Sequence, residues 1–195
     1  MRIVGGKYRG KRIDYPKLGT VRPTQDRVKE ALFNVIAKEV PGSVVVELFA
    51  GSGSLALEAI SRGASRAVFV DINPACLKII RKNIGSIDSQ SISEVYKADA
   101  LKAIERFEKR GVKFNIVFVD PPYHKGLPKK TLIKLARHDI LWQNNIIIIE
   151  HSKRELIPEV EGINLLMQRQ YGDTVLSYCR KAIKSFSIKT EHQDE

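Results

Sequence analysis

Val44-Val45-Val46-Glu47-Leu48-Phe49 runs without a break into Ala50-Gly51-Ser52-Gly53-Ser54 and then into the helical spacing Leu55, Ala56, Ala59, Ile60. An uninterrupted apolar run of this length reads as a parallel strand buried on both faces. Gly51 and Gly53 end it, permitting positive φ and close backbone approach, and the helix that follows offers unpaired N–H groups at its start. Strand, glycine turn and helix N-terminus make a nucleotide-binding corner. The next apolar run, Ala67-Val68-Phe69-Val70, ends in Asp71, an acid placed to take both hydroxyls of a ribose. Gly51-x-Gly53-x-x-Ala56 with that acid also satisfies the loose dinucleotide fingerprint, so the corner alone leaves an NAD-type cofactor and other adenosine derivatives open.

Two features weigh against a dinucleotide. Glu47 precedes the glycines, where it suits a cationic or amino-bearing ligand better than a pyrophosphate. Asp99 follows Val95-Tyr96-Lys97-Ala98 and opens another helical stretch, where a plain N-cap is the default reading. Yet Glu47, Asp71, Asp99 and Asp120 end successive expected strands at spacings of 24, 28 and 21 residues, which puts four acids on one edge of a parallel sheet. Open α/β sheets bind ligands at that edge.

Asp120-Pro121-Pro122-Tyr123 ends the apolar run Phe114-Asn115-Ile116-Val117-Phe118-Val119. Two prolines cannot donate backbone hydrogen bonds, so the chain must leave the sheet there. What remains is a carboxylate, a bare Pro121 carbonyl and an aromatic ring. Together they suit a flat ring bearing an NH2 group: the two oxygens accept its hydrogens and the tyrosine face covers the ring. The bland alternative is an ordinary strand-to-loop exit.

Alternating strands and helices are expected at 43–48, 53–61, 67–71, 74–84, 94–97, 99–109, 114–119, 128–137 and 145–150, with Gly85 punctuating the second of these helices. Strands near 163–170 and 174–181 are joined by Gly172-Asp173, a hairpin turn. Before them, residues 2–14 suggest a basic hairpin projecting from the domain, turning at Gly5-Gly6 and Arg9-Gly10. Thr24 can cap a helix whose Val28, Ala31, Leu32, Val35 and Ile36 form one apolar stripe. The chain thus divides into a hairpin extension (1–20), an α/β domain (21–182) with a mostly parallel sheet, and a polar tail (183–195).

At this point the sequence resembles a known family. Glu47-Leu48-Phe49-Ala50-Gly51-Ser52-Gly53 with Asp120-Pro121-Pro122-Tyr123 is similar to the class I S-adenosylmethionine-dependent methyltransferases that modify exocyclic amines of nucleic-acid bases. Arg2-Ile3-Val4-Gly5-Gly6-Lys7-Tyr8-Arg9-Gly10-Lys11-Arg12 and Arg22-Pro23-Thr24-Gln25-Asp26-Arg27-Val28-Lys29-Glu30-Ala31-Leu32-Phe33-Asn34 narrow the resemblance to the RsmD family of bacterial 16S rRNA guanine-N2 methyltransferases, and pieces persist at Ile149-Glu150 and Tyr171-Gly172-Asp173-Thr174. Glu47 stands where an Asp is more usual, a change that keeps the charge. The resemblance implies a Rossmann-like seven-stranded sheet, order 3-2-1-4-5-7-6, with one antiparallel strand. It also implies that Glu47 and the Ala50, Gly51, Ser52, Gly53 backbone hold the methionine portion of S-adenosylmethionine, flanked by Phe49. Asp71 beside Ile72 would hold the ribose, and Asp99 with Ala100 the adenine edge. Asp120 and Pro121, with Pro122, would orient the amine and Tyr123 would stack on the base. The implied protein is a monomer acting on 16S rRNA or the assembling small subunit. An adenine-N6 methyltransferase of DNA or RNA would use the same turn, and a non-catalytic RNA-binding module would share the basic charge but not need the four acids.

Composition agrees. Thirty-three Lys and Arg against 22 Asp and Glu give +11 and a pI near 9.7 in 195 residues. That length supports one well-buried domain and leaves no room for the substrate domain most dehydrogenases carry. Nine basic residues and only three acids fall in residues 1–30, including Lys7, Arg9, Lys11, Arg12, Arg22 and Lys29. Such clustering favours a phosphate-binding arm over charge spread merely for solubility. Cys76 and Cys179 lack pairing or metal spacing and read as small core residues in a reducing compartment, and no metal site is expected. No stretch has the pattern of a signal peptide or approaches a membrane span, so a cytoplasmic protein is expected.

Overall fold

A computed structural model describes residues 1–16, 26–122, 126–155 and 157–182. Arg22, Thr24, Tyr123 and the 183–195 tail lie outside the described residues. The chain winds as α1 (Asp26–Val35), β1 (Val44–Glu47), α2 (Ser54–Ser61), β2 (Arg66–Asp71), α3 (Pro74–Ser86), β3 (Ser93–Lys97), α4 (Ala100–Lys109), β4 (Phe114–Val119), α5 (Leu127–Arg137), β5 (Leu141–Ser152), β6 (Ile163–Tyr171) and β7 (Thr174–Lys181). The seven strands form one Rossmann-like sheet in the order β3-β2-β1-β4-β5-β7-β6. The first five are mutually parallel, and β7 runs antiparallel to both its neighbours.

The apolar runs of β1, β2 and β4 are buried because helices cover both faces. Val45, Ala67, Phe69, Ile116, Phe118, Ile146 and Ile148 join a core with residues of α1, α2 and α3. Their neighbours Val46, Val68, Val70, Val117, Val119, Ile147 and Ile149 join a second core with α4 and α5. The period of two along each strand thus separates two layers of helix.

Residues 1–14 fold back as a short arm in which Arg2 bridges Arg12 in antiparallel fashion. The arm does not project. Ile3 and Ile13 are buried in the first core. Ser61 at the end of α2 accepts the Lys7 N–H at its carbonyl (2.7 Å) and the Tyr8 N–H at its hydroxyl (2.9 Å), while Glu58 accepts the Val4 N–H at 2.8 Å. Gly6 sits so close that a Cβ there would lie 1.9 Å from the Ser61 carbonyl oxygen. This docking explains why every residue of α2 is buried: the helix has the sheet on one side and the arm on the other.

Several boundaries differ from expectation. Val35, placed in the apolar stripe of α1, is exposed, and Phe33 and Lys29 are buried instead. The Lys29 ammonium donates to the Arg2 carbonyl at 2.6 Å and lies 3.8 Å from Glu58, so it ties the arm to α1 and is no phosphate ligand. Helix α3 continues through Gly85, followed by an unforeseen 3-10 turn at Gln90–Ile92. Strand β5 starts at Leu141, with an irregularity in its pairing between Phe114 and Ile116. Both cysteines are buried and unpaired.

Candidate active site

The site lies where β1, β2, β4 and β5 end. At the end of β1 the turn is stitched to both neighbouring strands: the Leu48 N–H donates to Phe118 O at 3.0 Å and the Ala50 N–H to Val70 O at 2.9 Å. Gly53, at φ 78°, immediately precedes α2; a Cβ on it would come within 2.9 Å of the Phe69 ring. At Gly51 the corresponding space is open, which leaves the backbone accessible to a ligand.

Glu47 is buried and accepts the Leu55 and Ala56 N–H groups at 3.4 and 3.0 Å. It therefore caps α2, for which Gly53 has no side chain to offer. Burial outweighs these two bonds and pushes its pKa up to about 8. Asp71 is half-buried; one oxygen accepts the Gly51 N–H at 2.8 Å and the other the Asn73 N–H at 2.7 Å. The Cys76 thiol also hydrogen-bonds this carboxylate, which with about four acceptor positions on its two oxygens keeps capacity for an outside donor. Ile72 beside it is 66% exposed, an apolar surface against which a flat ring can lie. Asp99 is exposed and its Oδ1 caps α4 through the Leu101 and Lys102 N–H groups at 3.0 and 3.1 Å. Ala50, Ser52 and Ala100 are buried around these groups, and Phe49 packs half-buried on the second core. The acids that seemed too many to be helix caps thus do hold local backbone: Glu47 and Asp99 cap helices and Asp71 braces the glycine turn.

Asp120 follows β4 and caps no helix among the described residues. It is half-buried, and burial, then the charges of Glu150 and Glu47, hold its carboxyl well above the usual carboxylate range. Pro121 is buried and Pro122 exposed, ending the strand as their chemistry requires. Val119 pairs with Ile149, so Asp120, just past the end of β4, lies level with Glu150 within β5. Alternation puts Glu47, Asp120 and Glu150 on one face of the sheet, that of Val45, Phe118 and Ile148. Glu150 is 8% exposed. As a site residue it escapes sequence reading, since an acid closing an Ile146–Ile149 run signals only a strand end.

This arrangement fits a nucleoside cofactor with a cationic substituent: an accessible turn, an acid beside it for a ribose, an apolar platform, and a floor of buried acids whose ionised form a cation would favour. The Glu47–Phe118 pairing brings the Asp120 turn alongside the glycine turn on neighbouring strands. Lys7, Arg9, Lys11 and Arg12 are all exposed on the arm. Among the described residues no His, Cys, Asp and Glu group could hold a metal ion, and no helix is long and apolar enough to cross a membrane.

The family described as "Conserved hypothetical protein 95" matches residues 1–180. Ribosomal RNA small subunit methyltransferase D of Escherichia coli K12 is 34% identical over 160 residues, 82% of this chain and 79% of its own. The protein of the same name from Haemophilus influenzae is 31% identical over 179 residues, 91% of both chains. Among solved structures, the Escherichia coli protein yhhF superimposes with a TM-score of 0.82 at 30% identity, covering 94% of this chain and 99% of that one.

Proposed function

The chain belongs to the RsmD family, and from that membership and the geometry of its site we propose that it transfers a methyl group from S-adenosylmethionine to the N2 amine of a guanine in small-subunit ribosomal RNA. The observation that carries the reading is the Asp120-Pro121 exit lying beside the glycine turn on paired strands. Asp71 takes the ribose hydroxyls, with Ile72 and Ala100 against the adenine and Asp99 at its edge. The backbone from Ala50 to Gly53, over the Glu47 floor, receives the charged methionine portion.

S-adenosylmethionine supplies the activated methyl group. Asp120 and the Pro121 carbonyl accept the two amine hydrogens, which favours a pyramidal nitrogen and aims its lone pair at the methyl carbon. The N–C bond forms as the C–S bond breaks, sulfur keeps the electron pair, and Asp120 or water takes the surplus proton. Positioning outweighs acid–base chemistry here. Tyr123 is assigned the stacking face over the base, and Lys7, Arg9, Lys11, Arg12 and Arg22 the phosphates. A paired guanine would have to be unstacked first, so the target is a loop or bulge. Mass spectrometry of ribosomal RNA nucleosides from cells lacking the protein tests the assignment. Loss of N2-methylguanosine is expected; loss of N6-methyladenosine instead would make it an adenine enzyme using the same turn.

A further inference from the structure

Asn83, on α3 and 2% exposed, joins two segments far apart in the chain. Its Nδ2 donates to the carbonyl of Ser52 in the glycine turn at 2.9 Å and to the carbonyl of Asp14 at the end of the arm at 2.8 Å. Its Oδ1 accepts the Asp14 N–H at 2.8 Å. Only one orientation of the amide satisfies two carbonyls and one N–H, so the geometry fixes which atom is which. All three partners are backbone groups, and a shift of the turn is felt by the arm through one rigid side chain. Two further contacts accompany it: Met1 Sδ lies 3.7 Å from Ser52 Oγ, and Lys82 pairs with the Asp14 carboxylate.

We propose that Asn83 is a positioning residue linking the cofactor turn to the basic arm, so that filling the turn further restrains the docked arm at Asp14 and a polyanion seated on the arm tightens cofactor binding. The inference rests on the reading of the turn as a cofactor site and of the arm as an RNA surface. Reciprocity follows from thermodynamics: whatever factor RNA adds to cofactor affinity, the cofactor adds to RNA affinity. The arm also touches α2 through Val4 and Tyr8, which provides an internal comparison, since those N–H groups bond Glu58 and Ser61 and not Asn83.

Hydrogen exchange on the full chain, with and without saturating S-adenosylhomocysteine, tests the link without RNA. The Asp14 N–H is expected to exchange at least about fivefold more slowly with ligand, in the range of ordinary coupling between sites. Because Asn83→Ala removes the acceptor of the Asp14 N–H itself, the response in the variant is read against wild type at the neighbouring Ile13 N–H, which bonds the Met1 carbonyl, and should fall there to the smaller one seen at Val4 and Tyr8. A purely structural role would raise exchange equally in both states and leave the response intact. No ligand response at Asp14 in the wild type, or an undiminished response in Asn83→Ala, overturns the link, and the wild-type comparison stands even if the variant folds poorly. Calorimetry then extends it. A single-stranded RNA is expected to raise S-adenosylhomocysteine affinity about fivefold in the wild type and not in Asn83→Ala. If RNA affinity is unchanged when Lys7, Arg9, Lys11 and Arg12 are all replaced by Ala while the exchange response persists, the arm is overturned as an RNA surface and the Asn83 link is upheld.

Discussion

Asp120 and Glu47 share a problem: each is an acid held where charge is poorly solvated and with a like charge nearby, Glu150 for Asp120 and Asp71 for Glu47. Glu47 has the higher pKa in the folded state, so folding favours its protonated form. The sign follows: as pH rises from about 4.5 to about 8 the unfolded chain ionises this carboxyl while the folded one resists, and stability falls across that window. At about 1.4 kcal/mol per pH unit the loss amounts to a few kcal/mol. Thermal unfolding of wild type and Glu47→Gln across this range should show the wild type losing ground steadily and the variant losing less, since Asp120 contributes a slope of the same sign to both. A cationic ligand favours the ionised acid, so S-adenosylmethionine affinity should rise through the same window, and calorimetry in Glu47→Gln should find the rise flattened. Asp120→Ala is a different matter. It should keep cofactor affinity and nearly abolish transfer in a single turnover, because its oxygens act on the amine and not on the sulfonium. The acids were visible in the sequence as strand-end residues. Their division of labour was not, since whether a carboxylate faces a ligand or a helix N-terminus depends on where the following turn carries the chain.

The arm shows what an element's own pattern leaves out. Alternation and glycine turns suggested a hairpin, but nothing periodic in residues 1–14 points to Glu58 and Ser61, their partners more than fifty residues away. Docking is a long-range choice. Because Ile3 is fully buried in the shared core, Ile3→Ala should lower global stability by about 2–5 kcal/mol in denaturant unfolding. An arm that folds apart from the domain would leave the transition unmoved. Helix α1 gives the same lesson in reverse: Val35 matched a helical stripe, yet the helix ends there and its last residue turns outward. The central strands were legible almost to the residue, because burial on both faces demands continuous apolar runs that glycine and proline then cut. On β7, Tyr178 is buried and its hydroxyl has no partner among the described residues. Tyr178→Phe removes an unsatisfied group and should raise the melting temperature, by the equivalent of about 1–3 kcal/mol; a lower one would mean the hydroxyl has a partner after all.

For the whole molecule, strand order was not readable from periodicity, which says which residues face a core but not which strand lies beside which. The order anticipated from family resemblance is the one observed. That order makes the function possible, since it sets β1 between β2 and β4 and so brings Asp71, the glycine turn and Asp120 to one edge. Part of the chain's excess of positive charge is exposed on the arm, at Lys7, Arg9, Lys11 and Arg12. Replacing Lys7, Arg9, Lys11 and Arg12 by Ala should weaken RNA binding and lower its log–log salt slope by about 3, at ~0.7 per phosphate contact on a single strand. An unchanged slope would reduce these residues to solvated charge. The most direct measurement is methyl transfer in a single turnover: purified protein, S-adenosylmethionine with a labelled methyl group, and small-subunit ribosomal RNA lacking the modification, digested to nucleosides and read by mass spectrometry. The label should appear in N2-methylguanosine with wild type and vanish with Asp120→Ala. Label in another nucleoside, or an undiminished rate in the variant, would contradict the role given to the Asp120 turn.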